Sequence, residues 1–91
     1  MEQGEKNNLL NNMAQLKWAC RRGMLELDVL LGNFLERQYP HLALADKQLF
    51  VALLEYPDPE LFAWLMGHET PADQGIFKIT EMIRTYARSR I

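Results

Sequence analysis

Cysteine is nearly absent from this 91-residue chain: Cys20 stands alone, so neither an intrachain disulfide nor a cysteine-clustered zinc site can form. A single free thiol fits a reducing compartment. Serine is as scarce, with Ser89 in the C-terminal tail as the one copy, which leaves a serine nucleophile no setting. Glycine-rich phosphate loops and the dinucleotide fingerprint are missing. Charge of one sign does not dominate. Ten Lys and Arg face twelve Asp and Glu for a net charge of −2, too little field to hold a nucleic-acid backbone. Apolar runs stay short, as at Leu49–Leu54, against the roughly 20 residues that span a bilayer. The opening Met-Glu-Gln-Gly-Glu-Lys-Asn-Asn is polar, with no apolar core of a signal peptide behind it. No segment alternates with the two-residue period of a half-buried strand, and no Asn-Gly or Asp-Gly hairpin turn occurs. A soluble, cytoplasmic protein without strands is the expectation.

Helical periodicity is abundant. Apolar residues make up 48% of the chain, ordinary for a folded domain. A chain of this length buries only about 60–65% of the surface its unfolded form exposes, so one small domain over residues 1–91 is predicted, with residues 1–8 frayed. Leu9, Met13, Leu16 and Cys20 recur on one helical stripe. Leu27, Leu31, Phe34 and Leu35 form a second, ending near Tyr39-Pro40 because the residue before proline avoids the helical region. A third helix is predicted to open at Asp46 as N-cap, to carry Leu49, Phe50, Leu53 and Leu54, and to stop at Tyr56-Pro57. Asp58-Pro59-Glu60 reads as cap, preorganised first residue and first-turn acid of a short helix with Leu61, Phe62, Trp64 and Leu65, which Gly67 ends. Thr70-Pro71 repeats the cap-then-proline signal ahead of a last helix with Ile76, Ile79, Ile83 and Tyr86 on one face. The fold class is all-α, a single bundle of about five helices.

Chemistry has few candidate residues. His68-Glu69 begins like a zinc-protease motif, but Ala72 stands where the second histidine belongs, and His41 is far away in sequence. Cys20 falls on an apolar stripe, where an inert thiol sits, and no His or Asn is close in sequence to activate it. Glu26 with Asp28, and Asp58 with Glu60, are two apart on helices and point in different directions, so neither pair is a general acid/base couple. No catalytic residue, bound cofactor or metal is expected.

One stretch concentrates charge with backbone freedom: Arg21-Arg22-Gly23, followed by Glu26 and Asp28. Helix-end chemistry is a sufficient account. Gly23 would be the left-handed residue ending helix one, the arginines would face that helix's negative end, and Glu26 would lie in the first turn of helix two. Partner recognition fits the same residues, because arginine pairs bidentately with carboxylates and glycine admits close backbone approach. Trp18 lies off the main stripe next to this corner, and tryptophan and arginine are the residue types enriched at binding hot spots. The arginines of the last helix, Arg84, Arg88 and Arg90, complement its dipole.

The segment Trp18-Ala19-Cys20-Arg21-Arg22-Gly23-Met24-Leu25-Glu26-Leu27-Asp28 resembles the signature of the SdhE family of flavinylation factors, whose mitochondrial counterpart is succinate dehydrogenase assembly factor two. Its Arg-Gly-x-x-Glu motif is matched by Arg22, Gly23 and Glu26. A second stretch is similar too: Leu53-Leu54-Glu55, then Asp58-Pro59-Glu60-Leu61-Phe62 and Trp64-Leu65-Met66. The resemblance runs from about Leu16 to the end of the last helix. It implies a five-helix domain that binds the flavoprotein subunit of succinate dehydrogenase, and of the related fumarate reductase, and promotes covalent attachment of FAD to a histidine there. It further implies a non-catalytic assembly factor, with Glu26 as the key polar contact, Arg22 its neighbour and a partner for flavoprotein acids, and Gly23 allowing close approach. Trp18, Arg21 and Asp28 complete the expected partner-binding set. A monomer without tightly bound FAD is expected. The alternative is a small helical adaptor or antitoxin-like inhibitor that binds another cytosolic or membrane-associated protein through the same corner.

Overall fold

The computed structural model describes residues 12–89. The predicted fraying at residues 1–8, together with Leu9 and Arg90, lies outside the described residues. Five α-helices are present among them: α1 Met13–Ala19, α2 Leu25–Arg37, α3 Leu44–Leu53, α4 Asp58–Leu65 and α5 Gln74–Ser89, with a 3-10 turn at Tyr39–His41. No strand occurs in this stretch, and the all-α prediction holds.

The apolar stripes meet in one core. Leu16 and Cys20 from α1, Leu27, Leu31, Phe34 and Leu35 from α2, and Ile76, Ile79 and Ile83 from α5 are all buried, whereas Met13 lies near the surface. Phe34 stacks on Phe50 at 5.6 Å between ring centres and meets Tyr86 edge-on at 6.0 Å, arrangements that aromatic pairs favour. Tyr39 closes the cluster against Phe50 at 5.4 Å. Helix α5 packs against α2, α3 and α4 and is the element the others gather around.

Three helix starts differ from expectation. Helix α3 opens three residues early, with Ala43 in the N-cap position and no side-chain cap. Asp46 lies inside its first turn, where Lys78 Nζ of α5 stands 3.0 Å from Asp46 Oδ1; the contact is an ion pair without hydrogen-bond alignment. Pro57, not Asp58, is the N-cap of α4. The last helix begins at Gln74 instead of Thr70-Pro71, because Asp73 Oδ1 accepts the Ile76 N–H at 2.9 Å, the bond an N-cap makes to the third helical residue.

The end of α4 follows prediction. Gly67 has φ +81°. The His68 N–H donates to Ala63 O at 2.7 Å and the Gly67 N–H to Trp64 O at 3.1 Å, the paired bonds of a Schellman motif.

Candidate functional site

Helix α1 ends at Ala19, and Cys20 is its C-cap, donating its N–H to Leu16 O at 3.0 Å. Arg21 continues with a 3-10-type bond, its N–H donating three residues back to Trp18 O, also at 3.0 Å. The chain then reverses through Gly23, whose φ is +89°. Gly23 is therefore left-handed as predicted, but it sits three residues past the cap and does not end the helix. It forms the corner between α1 and α2. Met24 serves as N-cap of α2 without a side-chain bond. The missing cap is offset by Asp28, whose Oδ1 reaches back from the first turn to accept the Arg22 N–H at 2.6 Å. A carboxylate in that turn is also favoured by the helix dipole. Asp28 is thus the clasp of the corner.

Arg22 is turned inward. Its side chain is 16% exposed and its Nε donates to Asp58 Oδ1 at 2.8 Å. Nη1 donates to Ala19 O at 2.9 Å and to Leu54 O at 3.0 Å, and Nη2 to Tyr56 O at 2.8 Å. Four of the five guanidinium N–H groups are therefore committed within the chain. Ala19 is the last residue of α1 and Leu54 caps α3, so the guanidinium answers carbonyls that helix ends leave unpaired. The expected role of Arg22 as a direct partner for acids of another protein does not fit this geometry, since the side chain bolts α1, α3 and α4 together. Asp58 likewise accepts from Arg22 rather than capping its own helix.

Glu26 is the opposite case. It is exposed in the first turn of α2 and makes no hydrogen bond or ion pair with any described residue. Leu25 at 75% exposure and Val29 at 49% lie on either side of it in sequence, one turn apart on the same helix. Trp18 is 74% exposed, and the Arg21 guanidinium lies 5.9 Å from its ring centre, within range of a cation–π contact. A Cβ built on Gly23 meets nothing within 4 Å, so the corner itself is open. A groove of about 500 Å³ runs beside it, with Lys17, Trp18 and Arg21 on one wall and Asp28, Asn33 and Glu36 on the other.

Of the predicted set, Trp18, Arg21, Gly23 and Glu26 thus reach solvent around one corner, while Arg22 and Asp28 hold it from behind. Leu25, Val29 and Asp58 were not anticipated. The first two could have been found as apolar residues lying off the buried stripe of α2. For Asp58 the signal was the second matched segment, which includes that residue.

Cys20 lies beneath the corner. Burial pushes its thiol up to about 12, with Arg22 pulling the other way and Asp28 adding to the rise. Such a thiol stays protonated and unreactive near neutrality. Among the described residues no group of three His, Cys, Asp or Glu side chains could hold a metal ion, and no helix is long and apolar enough to cross a membrane.

Comparison with known proteins gives one consistent result. Residues 14–87 match the family model described as flavinator of succinate dehydrogenase. The FAD assembly factor SdhE of Shewanella oneidensis is 52% identical over 75 residues, covering 82% of this chain and 92% of that protein. The factor of the same name from a Serratia species is 43% identical over 81 residues, covering 89% and 92%. Among solved structures, the solution structure of a UPF0350 protein superposes with a TM-score of 0.71 at 45% identity, over 85% of this chain and 82% of the other.

Proposed function

The chain belongs to the family of flavinators of succinate dehydrogenase, and from that premise we propose that it is an assembly factor promoting covalent attachment of FAD to the flavoprotein subunit. The observation that carries the reading is the state of Glu26: an exposed carboxylate with no described intramolecular partner, three residues after an open left-handed glycine, in a stretch of chain that also exposes Trp18, Leu25 and Val29. Exposed apolar and aromatic side chains around a single charge are what a binding surface needs. Nothing in the fold requires them there.

The factor has no chemistry of its own in this reading. It binds an immature conformer of the flavoprotein and favours the arrangement in which flavin and acceptor histidine are aligned. That shift of population replaces a search among unproductive geometries. Glu26 makes the polar contact, Trp18, Leu25 and Val29 supply the apolar one, and Gly23 lets the partner approach the backbone. FAD is the group attached to the partner and is not held tightly by this chain. The related fumarate reductase subunit is a second partner of the same kind, and the setting is the cytoplasm, with the factor acting as a monomer.

The test is covalent flavin fluorescence on a denaturing gel after expressing the succinate dehydrogenase flavoprotein subunit alone, with this protein, or with its Glu26→Ala form. A bright band that needs the intact protein and dims severalfold with Glu26→Ala is expected. The variant stays folded by circular dichroism, because an exposed first-turn acid contributes only about 0.3–1 kcal/mol. Equal bands in all three lanes would count against both the function and the site.

A further inference from the structure

Asp58 lies 36 residues from Arg22 in sequence, in the second of the two matched segments, yet its carboxylate accepts the Arg22 Nε–H at 2.8 Å. We propose that Asp58 is a positioning residue for flavinylation: through Arg22 it fixes the pitch of the Gly23 corner and hence the direction in which Glu26 is presented. The inference rests on the function proposed above and adds a residue that touches neither partner nor flavin.

The geometry leads there in three steps. Glu26 is the second residue of α2, so its direction is set by how α2 leaves the corner. That departure has no side-chain N-cap to define it. What defines it is Arg22, whose backbone N–H is gripped by Asp28 of α2 while its guanidinium is gripped by Ala19, Leu54, Tyr56 and Asp58. Three of those four acceptors are neutral carbonyls. Asp58 is the one anion among them, and a charge-assisted bond is roughly twice as strong as a neutral one. It is also the one acceptor that mutation can remove without touching the backbone. Because the chain turns freely at Gly23, a slack guanidinium lets the first turn of α2 shift. Misplacement by about 1 Å is enough to lower a positioning-dependent rate by up to about a hundredfold.

The experiment uses the full chain with purified flavoprotein subunit and FAD, and measures the rate of covalent flavin formation against factor concentration. For Asp58→Ala the saturating rate falls about tenfold, while the concentration giving half that rate stays within about threefold, since the contact residues are untouched. Asp58→Asn, which keeps an oxygen acceptor without the charge, recovers part of the rate. Arg22→Ala combined with Asp58→Ala is little worse than either alone, as expected of two residues acting as one unit. Ile79→Val serves as a control matched for lost melting temperature, because it loosens the core on α5, a helix that gives the Arg22 guanidinium no acceptor, and leaves the saturating rate intact. Hydrogen exchange supplies a readout independent of flavinylation: in Asp58→Ala the Arg22 amide, bonded to Asp28, exchanges about tenfold faster. Unchanged exchange at Arg22, an unchanged saturating rate, or additive losses in the double variant would each overturn the proposal. Failure of the wild-type protein to accelerate flavinylation would instead remove the function on which it rests, and the exchange result would still decide whether Asp58 holds the corner.

Discussion

Two glycines in this molecule adopt the same left-handed backbone, and their surroundings differ completely. Gly67, at φ +81°, ends α4 in a Schellman motif, and the Arg84 guanidinium lies directly over it: a Cβ there would stand 2.7 Å from Nη2. Gly23, at φ +89°, ends no helix and has no neighbour within 4 Å of where its Cβ would be. Each corner has an arginine. At Gly67 the arginine lies outside and closes the turn; at Gly23 Arg22 lies inside and leaves the outer face bare. A left-handed glycine is a backbone requirement in both places, but only one of the two is left accessible to another molecule.

Substituting alanine at each position sharpens that contrast. Gly67→Ala carries a stability loss of about 1–2 kcal/mol, the strain of a left-handed alanine, while the Arg84 guanidinium, at the far end of a flexible side chain, swings aside at little further cost. Urea unfolding would read this directly, and the saturating flavinylation rate should stay at the wild-type level. Gly23→Ala loses only the backbone strain, about 1–2 kcal/mol, since the methyl enters open space, yet flavinylation drops more than for Gly67→Ala. If the two variants lost activity in proportion to stability, the corners would be equivalent and the contrast would fail.

The smallest effect reports on what lies beneath the open corner. The Cys20 thiol is raised by burial from 9.0 to about 12, so the unfolded chain releases this proton first as the solution becomes alkaline. The stability the protonated thiol contributes is complete below about pH 9 and is lost as pH rises toward about 12. At about pH 9.5 the loss is about 0.8 kcal/mol. Comparing the pH dependence of unfolding for wild type and Cys20→Ala isolates it, because the buried Tyr39, also raised by burial, shifts both proteins alike. Parallel curves for the two proteins would mean that the thiol is reached by water in the native state.

These corners also mark how far the sequence could be read. The helical stripes were legible because burial imposes a period: Leu27, Leu31, Phe34 and Leu35 are all within 1% of full burial. Gly67 was legible because a helix end is a local event. Asp46 and Asp58 misled for one shared reason, and Thr70-Pro71 for another. Each is a good local start signal, but Asp46 is drawn to Lys78 and Asp58 to Arg22, partners that only the packed fold supplies, while Asp73 provides the better cap three residues beyond Thr70. At the site, Glu26 and Gly23 could be picked out from their neighbours in sequence. The inward turn of Arg22 could not, because its acceptors are mostly backbone carbonyls, and carbonyls leave no mark on a sequence.

The two tryptophans fall on opposite sides of the same divide. Trp18 stands in solvent at the open corner, whereas Trp64 is partly buried with its ring 5.0 Å from that of Tyr56, nearly perpendicular to it. The molecule therefore carries two intrinsic fluorophores in different environments. Emission from Trp18 should move to shorter wavelength when a partner covers the corner and displaces water from the indole, while Trp64 changes only when the helices come apart. Exciting the unlabelled protein, with Trp64→Phe or Trp18→Phe to silence one signal at a time, makes docking and unfolding separable in a single cuvette.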